Sequence, residues 1–230
     1  MIRRLLLWDI DGTLVRVPLG ATVFGQAIES VLGRSCDVEV RMSGKTDPQI
    51  VNEFLALLGI GPDPELLARI LSQVESRLAA LGPQLAATGY ACPGAAAVLS
   101  RLAEEQDLVS SVLSGNLRPN AAVKLAAFGL DRWLDLEVGA YGSDDADRRA
   151  LVPVAMRRLA QAYGVRLDRD DVWVIGDTPL DLACAEAAGV HCLLVATGRS
   201  SLSELGALGA DAVMEDLADT EAVVKCLLAN

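Results

Sequence analysis

The sequence Leu5-Leu6-Leu7-Trp8-Asp9-Ile10-Asp11-Gly12-Thr13-Leu14 lies near the start of this chain of 230 residues. Its short apolar run predicts a buried strand of a parallel sheet, and the run is followed by two carboxylates, a glycine and a threonine. Carboxylates at the carboxyl end of such a strand lie in the crevice where open α/β sheets bind ligands. A calcium-binding loop is excluded, because counting from Asp9 places Leu14 where that loop needs glycine and Gly20 where it needs glutamate.

The rest of the chain has two parts that differ in their pattern of apolar residues. Between residues 15 and 88 the apolar residues recur at helical spacing, and no segment has a convincing strand pattern. From residue 93 onward, strands alternate with helices, which predicts a doubly wound parallel sheet of the α/β class. The predicted strands are 108–113, 134–138, 172–175, 190–195 and 212–214. We therefore expect a catalytic core of residues 1–14 and 89–230, with a helical domain of residues 15–88 inserted after the first strand.

Two further polar clusters follow predicted strands. Ser114 and Asn116 follow the second, and Asp177 and Asp181 follow the fourth. If these strands are neighbours of the first, all three clusters open into one crevice. So many acidic side chains in one place would repel each other unless a cation lies among them, and oxygen ligands suit Mg²⁺.

Three of these stretches resemble motifs of one known family. Asp9-Ile10-Asp11-Gly12-Thr13-Leu14 resembles the first motif of the haloacid dehalogenase superfamily, whose members are mostly magnesium-dependent phosphatases. Ser114-Gly115-Asn116 resembles its second motif, and Gly176-Asp177-Thr178-Pro179-Leu180-Asp181 its fourth. The resemblance implies a Rossmann-like core in which the first, second and fourth strands are adjacent, and a helical cap that closes over the active site and selects the substrate.

The resemblance also implies a role for each motif residue. Asp9 would be the nucleophile, and Asp11 the general acid and then the general base. Mg²⁺ would be held by Asp9, Asp177, Asp181 and Asp11, the last through its backbone carbonyl. The phosphoryl group would be bound by the residues that follow the first two strands, which are Gly12, Thr13, Ser114, Gly115 and Asn116.

The third motif departs from the family pattern. A lysine usually stabilises the transferring phosphoryl group there, whereas this chain has Asp147-Arg148-Arg149. We expect Arg148 to take that catalytic and phosphate-binding role, with Arg149 as the alternative. In the helical segment, the loop Ser43-Gly44-Lys45-Thr46-Asp47 resembles one that phosphoglycolate-phosphatase-like members place over the active site, so Lys45 is a candidate for binding an anionic part of the substrate.

The sequence thus predicts a Mg²⁺-dependent phosphatase that hydrolyses a small phosphomonoester through an aspartyl phosphate, of the phosphoglycolate phosphatase or β-phosphoglucomutase type. A phosphomutase keeps the same motifs and stays an alternative, as does a non-catalytic phosphate-binding member. The complete set of four acids argues against the latter. A dehalogenase is disfavoured because dehalogenases lack the second acid that Asp11 supplies.

Composition limits the partners and the compartment. The net charge of −11 argues against nucleic acid and anionic membranes as partners, so we expect a small phosphorylated metabolite. The five cysteines have no close-spaced pair, as in proteins of the reducing cytosol. The first apolar run is too short for a signal peptide, and no run is long enough to span a membrane. We expect a cytoplasmic protein, either a monomer or a homodimer.

Overall fold

A six-stranded parallel sheet forms the centre of the structure, a computed structural model that describes residues 1–229. In the chain the strands are β1 (Arg4–Trp8), β2 (Val15–Arg16), β3 (Tyr90–Ala91), β4 (Leu108–Ser114), β5 (Ala140–Tyr141), β6 (Val172–Gly176), β7 (His191–Val195) and β8 (Ala212–Met214). The order across the sheet is β5-β4-β1-β6-β7-β8. Because β1 lies between β4 and β6, the three strands that end in polar clusters are neighbours, as predicted.

Successive residues of β1 enter two different hydrophobic cores. Leu6 and Trp8 pack in the core on one face of the sheet, and Leu5 and Leu7 pack in the core on the other. All four side chains are fully buried. This burial on both faces explains why the strand is continuously apolar rather than alternating.

Nine helices are described within residues 1–229. They are α1 (Gly20–Leu32), α2 (Asp47–Leu57), α3 (Pro64–Thr88), α4 (Ala95–Leu102), α5 (Arg118–Ala127), α6 (Leu151–Tyr163), α7 (Pro179–Ala188), α8 (Leu202–Gly206) and α9 (Thr220–Leu228). Thr46-Asp47-Pro48 and Pro64 are sequence signals for helix starts, and α2 and α3 begin there. Thr46 closes a reciprocal capping box with Gln49. Over the same residues, no helix has the length and apolar character needed to cross a membrane.

Helices α1, α2 and α3 share a third hydrophobic core, which includes Phe24, Phe54 and Val74. This helical insertion and the parallel sheet confirm the predicted fold class. The insertion is joined to the core at an antiparallel ribbon, in which Val15 pairs with Ala91 and Arg16 pairs with Tyr90. The prediction that residues 15–88 contain no strand is therefore wrong at β2. The domain boundaries at residues 14/15 and 88/89 stay a prediction.

The strand predicted at residues 134–138 is also misplaced. A short 3-10 helix, Asp131–Trp133, precedes this segment, and the strand that pairs with β4 is β5, at Ala140–Tyr141. Leu134 and Val138 are buried in different cores, on opposite faces of the sheet. Their apolar character therefore reflects packing beside the sheet, which sequence cannot distinguish from strand pairing.

Candidate active site

The two carboxylates after β1 face different partners. Asp9 is buried and accepts a hydrogen bond from Arg148, whereas the carboxylate of Asp11 is 41% exposed and pairs with Lys124. The chain turns between them and β2 at Gly12, whose φ is +102°. An added Cβ on Gly12 would lie 2.5 Å from Oδ2 of Asp177, so both the backbone conformation and the space require glycine.

Three carboxylates meet at the carboxyl edge of the sheet. Oxygen atoms of Asp9, Asp177 and Asp181 lie within 4.8 Å of one another, and all three residues are buried. The hydroxyl of Thr13 donates to Asp177 at 3.2 Å. The backbone N–H and the hydroxyl of Thr178 donate to Asp181 at 2.9 and 2.6 Å, because Asp181 lies in the first turn of α7 and closes its capping box.

Burial and mutual repulsion make this cluster electrostatically unfavourable by itself. Burial raises the pKa of Asp9, as do the charges of Asp181 and Asp11, while Arg148 lowers it. Burial likewise raises the pKa of Asp177, and the charges of Asp9 and Asp181 raise it further. A cation among the three carboxylates would remove this penalty. The donor set consists of carboxylate oxygens, so it fits a hard divalent cation.

The guanidinium of Arg148 joins this cluster to the inserted helices. Its Nη2 donates to Asp9 at 2.7 Å and to Asp181 at 2.5 Å, and its Nη1 donates to the carbonyl oxygen of Gly44 at 2.9 Å. Arg148 is 5% exposed, whereas Arg149 is exposed and pairs with Asp147. The structure therefore brings Arg148, and not Arg149, to Asp9.

The loop after β4 lies against the same site. Ser114 is fully buried, and its hydroxyl oxygen accepts from the backbone and side-chain N–H groups of Asn116, at 3.2 and 2.8 Å. The same side-chain amide of Asn116 donates to Asp11 at 2.7 Å. Thus the first two motifs are linked directly, by a bond between Asn116 and Asp11.

The segment 43–47 of the inserted helices contacts the loops of the core. The backbone N–H of Asp47 donates to the carbonyl of Gly115 at 2.7 Å, and the hydroxyl of Thr46 donates to the carbonyl of Ala146 at 2.9 Å. An added Cβ on Gly115 would lie 2.0 Å from the carbonyl oxygen of Lys45, so this close approach requires glycine. The ammonium of Lys45, expected to face the substrate, pairs with Glu53 at 2.5 Å.

Sequence reasoning missed two residues of the site. Lys124, on α5, donates to Asp11 at 2.6 Å and to Asn116 at 2.7 Å. Its position on the helix after the second motif, in a chain with few lysines, was the only signal for it.

Asp47 is the second missed residue. It looked like part of a local helix start, but its carboxylate crosses to the core and accepts from the Leu117 N–H at 2.8 Å and from Asn120 at 3.1 Å. It therefore occupies the N-terminus of α5, an end of a helix that favours an anion. Burial raises the pKa of Asp47 to about 6, against the opposing effect of Lys124.

A cavity of about 590 Å³ lies between the core and the inserted helices. Asp9, Asp11, Ser114 and Arg148 line it on the side of the sheet. Side chains from α1, α2, α3 and the segment before α2 line it on the other side. These four predicted residues thus open into a single space that the helical insertion covers, whereas Thr13, Asp177 and Asp181 are not among the residues that line it.

Comparisons with known proteins agree on the family and the fold. Residues 6–186 match the family model for haloacid dehalogenase-like hydrolases. A phosphoglycolate phosphatase of Rhodospirillum rubrum is 30% identical over 216 residues, which cover 92% of this chain and 87% of that protein. One from Cereibacter sphaeroides is 27% identical over 202 residues, covering 84% of each.

Among solved structures, CbbY from Rhodobacter sphaeroides in complex with phosphate superposes with a TM-score of 0.72. It is 20% identical, and the match covers 95% of this chain and 96% of that chain. A β-phosphoglucomutase-like protein from Bacteroides vulgatus gives a TM-score of 0.70 at 17% identity, with coverage of 98% and 89%. At these identities the two structures show that the whole fold is shared.

Proposed function

This chain belongs to the haloacid dehalogenase-like hydrolase family, and we propose that it is a phosphatase that hydrolyses a small phosphomonoester through an aspartyl phosphate on Asp9. The observation that carries the proposal is the buried position of Asp9 beside two further carboxylates and the guanidinium of Arg148. The phosphoglycolate phosphatases that resemble this chain over most of its length support the same reaction class.

In the proposed first step, a carboxylate oxygen of Asp9 attacks phosphorus, and the bond between phosphorus and the ester oxygen breaks. The departing oxygen takes a proton from Asp11, which lines the cavity just before the turn at Gly12. Arg148 and Ser114 would donate hydrogen bonds to the phosphoryl oxygens, which carry the charge of the transition state. The products of this step are an alcohol and a phosphoryl group bound to Asp9.

In the second step, water attacks the phosphorus of the aspartyl phosphate. Asp11, now a carboxylate, accepts the proton from this water, so that each turnover restores it to the acid form. The bond between phosphorus and the Asp9 oxygen breaks, and inorganic phosphate leaves. The ion pair of Asp11 with Lys124 supports the base half of this role, because it holds the carboxylate, the form that accepts the proton, beside the cavity.

We further propose that Mg²⁺ is the cation of this site. Asp9, Asp177 and Asp181 would hold it through their carboxylates, and Asp11 would hold it through its backbone carbonyl. When bound, Mg²⁺ would neutralise the charge of the phosphate and the carboxylates and orient the phosphoryl group for in-line attack.

Hydrolysis of p-nitrophenyl phosphate by the wild type and the Asp9→Asn variant tests the mechanism, with Mg²⁺ or with EDTA. We expect metal-dependent release of inorganic phosphate, and a loss in the variant of about 10⁶-fold, the scale seen when a catalytic nucleophile is removed. Asp131→Asn, at an exposed position, is the matched control and should retain full activity. Wild-type activity in Asp9→Asn would contradict the assignment of the nucleophile.

The same assay separates the proposed reaction from the two alternatives. A phosphomutase would transfer the phosphoryl group to a sugar phosphate and release little inorganic phosphate, whereas a non-catalytic member would release none with any divalent cation.

A further inference from the structure

The far side of the cavity is built from apolar side chains of the inserted helices. Phe24 on α1, Ile50 on α2 and Val74 and Leu78 on α3 line it, together with Met42 in the segment before α2. All five belong to, or pack against, the hydrophobic core of these helices. The wall that faces the phosphate site is thus an extension of this core.

Three of the cations that line the cavity, Lys45, Lys124 and Arg148, are paired with carboxylates, and the other two, Arg16 and Arg199, come from outside α1, α2 and α3. Among the described residues that line the cavity, Lys45 is the only cation between residues 17 and 88. It pairs with Glu53 at 2.5 Å. Lys124 pairs with Asp11, and Arg148 with Asp9 and Asp181. Arg16 donates to the carbonyl of Gly198, and Arg199 is exposed.

This distribution of charge disfavours a substrate with a second anionic group. A carboxylate placed against Phe24, Val74 and Leu78 would lose its hydration and gain no counter-ion, which is costly. An apolar group in the same place would leave water and contact apolar side chains, which is favourable in proportion to its buried area. The volume of about 590 Å³ also lies in the range of about 300–1,000 Å³ that larger ligands fill.

We propose that the alcohol part of the substrate is an apolar chain or ring, larger than a two-carbon unit, that binds against Phe24, Met42, Ile50, Val74 and Leu78. The inference rests on the proposed phosphatase reaction and concerns the substrate class alone. It separates this enzyme from one that selects a short carboxylated phosphoester such as phosphoglycolate.

Steady-state hydrolysis of n-alkyl phosphates from ethyl to hexyl, together with phenyl phosphate and phosphoglycolate, tests the proposal. We expect kcat/KM to rise by about fourfold for each added methylene until the cavity is filled. Hexyl phosphate and phenyl phosphate should both exceed phosphoglycolate. A preference for phosphoglycolate, or a kcat/KM that does not change with chain length, would overturn the inference while leaving the phosphatase reaction intact.

Two variants locate the apolar site within the cavity. Val74→Thr replaces a methyl group of the cavity wall with a hydroxyl of nearly the same volume. It should lower kcat/KM for hexyl phosphate about fourfold or more and leave kcat/KM for ethyl phosphate unchanged. Val51→Thr is the matched control, since Val51 is buried in the same core but does not line the cavity. It should leave the ratio of hexyl to ethyl phosphate unchanged.

Met42→Gln is a second test at a half-buried position, where folding is less sensitive to a polar group. It should reduce the ratio of hexyl to ethyl phosphate in the same direction. If both wall variants keep the wild-type ratio, the apolar group binds elsewhere and the inference is wrong. If no ester is hydrolysed, including p-nitrophenyl phosphate, the proposed function itself fails, and the substrate class fails with it.

Discussion

Arg148 makes one guanidinium group serve two parts of the molecule. One nitrogen donates to Asp9 and Asp181, and the other donates to the carbonyl of Gly44 on the inserted segment. A lysine has a single nitrogen at the end of its side chain and cannot reproduce this fork. The family's usual lysine would therefore hold the nucleophile without holding the segment that covers it.

We expect Arg148→Lys to lower kcat by about 100-fold, the scale of losing a donor to transition-state charge. Arg149→Lys is the control, because Arg149 is exposed and pairs only with Asp147 among the ion pairs described. Kinetics on p-nitrophenyl phosphate with saturating Mg²⁺ measure both. Equal effects of the two substitutions would contradict the assignment of Arg148 to the site.

Asp47 should make stability depend on pH. Its pKa is about 6 in the folded chain, against an ordinary value of 3.8 for an aspartate carboxyl, so the folded state holds the proton more tightly. The carboxyl therefore stabilises the fold most when protonated, at low pH. The free energy of unfolding falls as the pH rises to about 6, and above that pH this group changes it no further. Lys124 and Asp11 are the charged groups that act on it from the core.

Asp47→Asn isolates this effect, because an amide oxygen can still accept from Leu117 and Asn120 and does not titrate. The free energy of unfolding of the variant minus that of the wild type should rise by about 2 kcal/mol between about pH 4.5 and 7.5. Urea unfolding at several pH values measures it. A difference that does not change with pH would show that Asp47 keeps an ordinary pKa.

The residues that sequence identified are those fixed by local structure. Asp9 and Asp177 follow strands, and Asp181 lies one turn into a helix, so motif and spacing were sufficient to predict that they meet. Lys124 and Asp47 reach the site across a tertiary contact, from a helix of the core and from a helix of the insertion. The residues next to Lys124 and Asp47 in the sequence do not indicate these tertiary contacts.

At the level of elements, two loops of the candidate site approach each other closely, and we expect catalysis to depend on this contact. The carbonyl of Lys45 lies against Gly115 with no room for a side chain, and Asp47 donates to the Gly115 carbonyl. Any side chain at residue 115 must push the segment 43–47 away from the loop after β4.

Gly115→Ala should therefore lower kcat/KM by about 100-fold, the cost of displacing a catalytic group by about 1 Å. Gly61→Ala is the matched control, since an added Cβ at residue 61 meets nothing within 4 Å. Full activity in Gly115→Ala would mean that the segment 43–47 does not need this position for turnover.

Elements with strong periodicity were predicted well, and short ones poorly. The apolar periodicity and the terminal Gly164 predict a helix over residues 151–163, and α6 has these bounds. Strand β5 has two paired residues and no pattern of its own, so the strand was predicted at the apolar residues just before it. Strand β2, also of two residues, was missed for the same reason.

At the scale of the whole molecule, the buried acids tie stability to the cation. In EDTA at about pH 8, Asp177→Asn should unfold at a higher temperature than the wild type, because burial and two neighbouring acids raise the pKa of Asp177 to about 9, and an amide does not bear the cost of that shift. Millimolar Mg²⁺ should reverse the order, since it stabilises the wild type through binding and the variant much less.

Thermal unfolding of both proteins with and without Mg²⁺ measures this crossover, and Asp131→Asn should follow the wild type in each condition. A wild type that Mg²⁺ does not stabilise would argue against a magnesium site at Asp9, Asp177 and Asp181. A variant that remains less stable in EDTA would show that the repulsion inside the cluster is small.

The parallel sheet was predictable because strands alternate with helices, and the adjacency of β1, β4 and β6 was predictable only because the motifs resemble those of a known family. The shape and lining of the cavity were not predictable. They depend on how α1, α2 and α3 pack above the sheet, and apolar periodicity does not reveal whether a side chain faces a neighbour or an open space. Val51 and Val74 have the same character in the sequence, yet only Val74 lines the cavity.

The ribbon of β2 and β3 has a consequence for how such proteins diverge. Arg16 and Tyr90 pair side by side, so the chain leaves the sheet and returns to it at one place. Apart from the segment 43–47, which bonds to Arg148 and to the loop of Gly115, the chain between them can be lengthened, shortened or exchanged without altering the path of β1. A lineage can therefore keep its reaction while acquiring a new substrate, provided that this one segment is retained.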